Sequence, residues 1–194
     1  DTYYVMLGTG KYLETTDRGS TATQSVYMVY DNGSTSGDSN PVGDSAISGR
    51  ARLKAGTGNA TTGVVTIPTF ALGRATSNTD SDNPRSGWYF DLPTSKERQI
   101  YDGAVSPEGR YVIFNSLIPS ASGTVGTCAP SGGGGNTYRC EVANGGSCTG
   151  SSSGNSNILG EPLIVETNTA STVTDSSGGS VDTITQTVLQ IGSN

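Results

Sequence analysis

Ser86-Gly87-Trp88-Tyr89-Phe90-Asp91-Leu92-Pro93-Thr94 carries the single tryptophan of the chain and alternates apolar with polar side chains up to a proline. A period of two is the pattern of a half-buried strand, because successive side chains leave a pleated backbone on opposite faces. Trp88, Phe90 and Leu92 then share one face, and Tyr89 and Asp91 the other. A lone tryptophan can also serve as a stacking platform for a sugar, but its register with Phe90 and Leu92 makes the core the expected place for all three.

Around this segment the 194-residue chain is poor in hydrophobic residues (32%) and in charge (14%), and it carries 28 glycines. Gly, Ser, Thr and Asn are weak helix formers that favour turns, so the composition speaks against a helical bundle and for an all-β protein with long polar loops. Further strands are expected at 3–7, 25–30, 46–54, 63–71, 99–105, 110–117, 137–142, 159–166 and 183–191, with 3–7 read as a buried strand. Turn clusters separate them at Asp31-Asn32-Gly33, Ala55-Gly56-Thr57-Gly58-Asn59, Pro107-Glu108-Gly109 and Asn144-Gly145-Gly146. Proline presets φ and glycine takes a positive φ, so Gln99 to Leu117 is expected to be an antiparallel hairpin. The stretches 34–45, 123–135, 149–157 and 167–182 lack apolar anchors and read as mobile insertions, the last with a hairpin tip at 175–179.

Read onward through Ser95-Lys96-Glu97-Arg98, and together with Gly8-Thr9-Gly10-Lys11-Tyr12-Leu13 and Arg110-Tyr111-Val112-Ile113-Phe114-Asn115-Ser116-Leu117-Ile118-Pro119, the central segment resembles one family. These stretches are similar to motifs in the C-terminal domain of the PilY-type type IV pilus tip adhesins. The similarity extends to Glu161-Pro162-Leu163-Ile164-Val165. It marks Gly8, Gly10, Trp88, Asp91, Leu92 and Pro119 as structural signature positions. It implies a partial or modified antiparallel β-propeller, although no internal repeat of blade length is visible in the sequence. Residues 1–194 are expected to form a single β domain, a C-terminal piece of a larger protein.

The residues narrow the chemistry. Histidine is absent, which removes Ser-His-Asp and Cys-His triads and His-ligated metals. Asp80-Ser81-Asp82-Asn83 lies in a polar run, and no acid has an apolar setting on both sides in the sequence, so no carboxylate pair for glycoside hydrolysis is expected. No catalytic, cofactor-binding or metal-binding residue is assigned. The family's calcium loop would lie upstream of Asp1. Within the chain, Asp31 to Asn40 is rich in oxygen but places Gly33 and Gly37 out of register for an EF-hand-like loop, and Val42 stands where the closing glutamate belongs. Gly8-Thr9-Gly10-Lys11 lacks the spacing of a phosphate loop and reads as a strand end with a sharp exit.

Net charge is −6, which opposes a nucleic-acid partner, since that needs a broad basic field. Arg50, Arg52 and Lys54 alternate and would share one strand face, as an anion-binding stripe or an ordinary solvated one. No apolar run is long enough for a membrane helix. Of the three cysteines, Cys128, Cys140 and Cys148, a disulfide between Cys140 and Cys148 is expected. A three-residue Ala143-Asn144-Gly145 loop pairs Val142 with Gly146 and sets the two cysteines directly opposite. A bond from Cys128 to either of them stays open.

The function expected from the resemblance is an extracellular, non-enzymatic module of a type IV pilus tip adhesin. It implies minor pilins and a host or abiotic surface receptor as partners. The alternatives are a carbohydrate-binding β-domain, with Trp88 and tyrosines as its platform, or a structural surface stalk. Tyr27, Tyr30, Tyr101 and Tyr138 are candidate contact residues.

Overall fold

Two sheets built from short strands share one core in the computed structural model, which describes residues 3–31, 49–72, 84–120, 133–143, 146–151, 160–165, 171–174, 180–183 and 187–189. The first sheet holds β1 (Tyr3–Gly8), β2 (Ser25–Asp31), β3 (Lys54–Ala55) and β6 (Gly87–Asp91) in the order β1-β2-β6-β3. The second holds β4 (Thr57–Gly58), β5 (Val65–Ile67), β7 (Ala104–Val105), β8 (Tyr111–Asn115), β9 (Thr137–Glu141) and β10 (Gly146–Ser151) in the order β4-β5-β10-β9-β8-β7. Two separate ribbons pair β11 (Leu163–Val165) with β14 (Thr187–Leu189), and β12 (Ser171–Thr174) with β13 (Ser180–Thr183). Every strand pairing is antiparallel except β3 on β6. Among the described residues no sheet closes into a barrel, and the helical content is one 3-10 turn at Asp17–Gly19. The fold is all-β.

The alternation in 86–94 decides the inner face. Trp88 and Phe90 are fully buried and Leu92 nearly so, while Asp91 on the opposite face is exposed. Val26 and Met28 of β2 join them from the first sheet; Val65, Ile67, Val112, Phe114 and Tyr138 come from the second. The aromatic rings form a continuous chain. Trp88 lies 5.9 Å from Phe90, Phe90 lies 5.7 Å from Tyr138, and Tyr138 lies 5.1 Å from Phe114. The Trp88 indole N–H donates to the Val142 carbonyl at 3.2 Å, so the one polar atom of the ring is satisfied across the core. Gly87 takes φ 141° next to β2, and a side-chain carbon there would run into the Met28 carbonyl. That position needs glycine for both reasons.

The hairpin forms where proline and glycine place it. Gly109 (φ 69°) donates to the Ser106 carbonyl at 2.7 Å, and Ser106 donates to the Tyr111 carbonyl at 2.8 Å. Its first arm is shorter than expected, only Ala104–Val105, because 98–99 is drawn into contacts elsewhere. Cys140 and Cys148 are joined as a disulfide with Cα atoms 4.2 Å apart. The β9–β10 register, Arg139 opposite Thr149, continues to set them face to face. Both sulfurs lie in the buried core. Cys128, the Asn144-Gly145 turn and the Asp31 to Asn40 and Asp80 loops beyond Asp31 itself fall outside the described residues.

Several expectations are corrected. Among the described residues β1 is an edge strand with Tyr3, Tyr4, Val5 and Leu7 all exposed, and its apolar composition does not mark burial there. Of the expected 46–54 strand, 46–48 lie outside the described residues, 50–53 form a turn, and Lys54 belongs to β3. The glycine-rich 55–59 turn contains β4, since the backbone crosses from one sheet to the other at Gly56, whose N–H donates to the Tyr89 carbonyl at 2.7 Å. The stretches 149–157 and 167–182 contain strands at 149–151, 171–174 and 180–182. Polar β-strands of this kind are held by main-chain pairing and give no apolar signal in sequence. Gly134, in the expected insertion 123–135, exchanges backbone hydrogen bonds with Ile118 at 2.7 and 2.8 Å.

Replacing Trp88 removes the largest buried side chain and its cross-core hydrogen bond. Trp88→Ala is expected to lower unfolding free energy by about 3–5 kcal/mol in denaturant titration, and a loss under about 1 kcal/mol would contradict the packing described here.

Candidate functional site

The three resembled motifs, far apart in sequence, meet at one joint. Gly10 lies against Arg98 and Gln99, where a side-chain carbon would crowd the Arg98 Cβ and the Gln99 carbonyl at 2.7 and 2.9 Å. Gly8 is likewise closed off by the Gln99 side chain. The Gln99 N–H donates to the Thr9 carbonyl at 3.2 Å. Arg98 and Leu117 exchange backbone hydrogen bonds at 2.9 and 2.7 Å, which ties the second motif to the third. The glycines at 8 and 10 therefore permit close backbone approach.

Two charged side chains, both buried, hold this joint. Arg98 donates to the main-chain carbonyls of Lys11 at 2.6 Å, Asp17 at 2.8 Å, Ser20 at 3.1 Å and Lys96 at 3.1 Å. Its guanidinium also lies 5.9 Å from the Tyr12 ring centre. Glu97 Oε1 accepts from the Ser116 hydroxyl at 2.5 Å, the Asn136 amide at 2.8 Å and the Tyr138 hydroxyl at 2.8 Å, and Oε2 accepts from the Thr94 N–H at 3.0 Å. Burial first, and then the Glu97 charge, hold the Tyr138 phenol above the usual tyrosine range, so it stays a donor. Glu97 has no apolar neighbours in sequence, and it is nevertheless buried, ringed by hydrogen-bond donors. It is 1% exposed, buried by tertiary packing and not by its sequence neighbours. With both oxygens engaged by donors, it is a structural anchor.

The signature positions do not gather into a ligand site. Trp88 and Leu92 are core, Gly8 and Gly10 belong to the joint, and Pro119 is buried just beyond Leu117. Asp91 faces outward and accepts from the Ser25 hydroxyl at 2.6 Å and Arg50 Nη1 at 3.0 Å. Arg50 also lies over the stacked rings of Tyr27 and Tyr89, at 5.3 and 4.5 Å from their centres. Arg52 is buried, so the three cations of 50–54 form no stripe. Tyr138 is buried too and offers no contact surface, while Tyr30 lies against Tyr4 at 5.7 Å. Tyr101 lines a cavity.

That cavity, of about 870 Å³, lies beside β1. Tyr4, Met6, Met28, Gln99, Asp102 and Val112 are among its walls. No cluster of three acidic or cysteine side chains able to hold a metal occurs among the described residues. No described helix is long and apolar enough to cross a membrane. Glu97, Arg98 and Ser116 lie within the resembled motifs without standing out there, and Asn136 carries no signal in the sequence. A charged pair set between two strand patterns was the available clue.

No family model matches the sequence, and no curated protein sequence matches it. In structure, the chain is similar to the crystal structure of the Pseudomonas aeruginosa PilY1 C-terminal domain, with a TM-score of 0.50 and 18% sequence identity. The match covers 86% of this chain and 38% of that one, so the chain spans less than two-fifths of the solved chain's length. The class this defines is an all-β domain with a PilY1-like fold.

Two measurements test the joint. Glu97→Ala strips the buried Tyr138 hydroxyl of its acceptor and removes the shorter hydrogen bond of Ser116 and of Asn136, and is expected to cost about 3–5 kcal/mol, with Glu97→Gln costing less because Oε1 remains. Equal, small losses for both would remove the anchoring role. Asp17 closes the neighbouring turn. Its carboxylate accepts the Glu14 and Leu13 N–H groups at 2.8 Å each, and these bonds, with Lys11 adding to them, lower its pKa in the fold. A lowered carboxyl stabilises fully above the unfolded value near about 3.9 and loses that contribution as pH falls through the folded value. The stability gap between the natural chain and Asp17→Asn should therefore be larger at about pH 6 than at about pH 2.5; a gap that widens on acidification would reverse this assignment.

Proposed function

We propose that this chain is a non-enzymatic binding module of a type IV pilus tip adhesin, acting outside the cell in surface attachment and pilus assembly. One observation carries the reading. The motifs quoted from three separate stretches meet at a single joint, inside a fold like that of the PilY1 C-terminal domain. Motifs that resemble a family by chance have no reason to converge in space. In this reading the two sheets are parts of a modified β-propeller, and minor pilins and a host or abiotic surface are the partners. The chain itself carries neither cofactor nor metal.

The carbohydrate-binding alternative loses Trp88 from its platform. Trp88 is 0% exposed, and the stacked Tyr27 and Tyr89 rings are engaged by Arg50. Sugar recognition by stacking needs an open aromatic face.

An antibody against this chain, applied to filaments sheared from the bacterium that makes it, is expected to label filament ends in electron microscopy. Deleting the coding sequence is expected to reduce surface piliation and twitching motility. Label confined to cell bodies, with piliation unchanged, would overturn the proposal.

A further inference from the structure

We propose that the Cys140–Cys148 bond is an oxidative folding lock, made by a disulfide-bearing oxidant while the two sheets are still apart and then sealed from reductants by the finished core. The proposal does not depend on the pilus reading.

The bond sits where the pairing of the second sheet changes hands. β10 pairs with β5 through Gly146, Ser147 and Cys148, and with β9 through Thr149, Gly150 and Ser151. Among the described residues no position of β10 pairs on both sides, so the strand changes partner immediately after Cys148. Cys148 faces Val65 of β5, and Cys140 faces Val112 of β8. The disulfide thus completes one row, Val65, Cys148, Cys140 and Val112, across four strands. A Cα separation of 4.2 Å matches an antiparallel pair without mutual main-chain hydrogen bonds. At this position the sulfur bridge supplies the tie that the ladder does not.

Burial decides access. Cys140 and Cys148 are both 0% exposed, in one cluster with Trp88, Phe90, Tyr138 and Val142. Thiol–disulfide exchange requires a thiolate to reach a sulfur atom, so neither oxidant nor reductant acts on this pair in the closed core. Any further chain packed on these sheets would bury it more, not less. The bond therefore forms in an open state, before the core closes.

The chemistry is a two-electron transfer. In the open chain one cysteine, as its thiolate, attacks the oxidant's disulfide, forming a mixed disulfide and displacing one oxidant thiolate. The second cysteine attacks the sulfur of the first, closing the Cys140–Cys148 bond and displacing the other oxidant thiolate. Two protons leave the chain, and the oxidant ends as a dithiol. The reaction that precedes folding is thus disulfide donation, the chemistry of an oxidising compartment.

Trp88 is the single tryptophan and lies in the same cluster, so its emission reports closure of the core. The oxidised full chain is treated with dithiothreitol, and thiols appearing at 140 and 148 are trapped by alkylation and followed by mass spectrometry. Reduction is expected to be at least about a hundredfold slower in buffer than in denaturant, because it tracks the rare open population. Diluted from denaturant into reductant, the reduced chain is expected to keep the emission of an exposed indole. Diluted into mixed oxidised and reduced glutathione, it is expected to recover the buried emission together with the Cys140–Cys148 bond. Cys128→Ser, which removes the competing thiol, is expected to behave as the natural chain does. Equally fast reduction in buffer and denaturant, recovery of the buried emission under reductant, no recovery with glutathione, or loss of the bond in Cys128→Ser would each overturn the proposal.

Discussion

A buried carboxylate and a buried guanidinium, adjacent in sequence and pointing to different parts of the fold, are the constraint on which the rest of this structure depends. Glu97 gathers the end of β8, the start of β9 and the turn after β6 through four hydrogen bonds. Arg98 gathers the loop after β1 and the 3-10 turn through main-chain carbonyls. Removing an ion from water is expensive, and each is retained only because donors or acceptors surround it. Short strands with few apolar residues need such a clasp. Strands of two to seven residues bury too little surface to define their mutual positions by packing alone.

The aromatic core and the clasp are one unit. Tyr138 stacks on Phe114 and Phe90 and gives its hydroxyl to Glu97, so the ring that completes the hydrophobic chain also orients the carboxylate. Trp88 performs the same double duty at the other end through Val142. Polar contacts at both ends of an apolar stack give it a defined register, which hydrophobic burial, being non-directional, does not supply. The Cys140–Cys148 bond within this core adds a covalent constraint on the neighbouring β9–β10 pair.

Against that rigid centre, β1 is anomalous. Its residues have the composition of an interior strand and the exposure of a surface one. Composition records what a strand can bury, and a partner chain can supply the burial as well as the chain's own fold.

The β class, a strand within 86–94 and its inner face, the turn of the hairpin between 105 and 111 and the strand end at Gly8 were legible from residues alone. Each depends on a local rule: period-two alternation, turn chemistry, or the conformational freedom of glycine. The opposed positions of Cys140 and Cys148 follow from local register in the same way. Only the tertiary structure decided that Glu97 and Arg98 are buried, that Arg52 and Tyr138 are interior, and that β1 is an edge. Burial of a side chain is set by what the rest of the chain brings to it, and Glu97, Arg98 and Tyr138 have hydrogen-bond partners 39 to 87 positions away. No window of neighbouring residues contains that information.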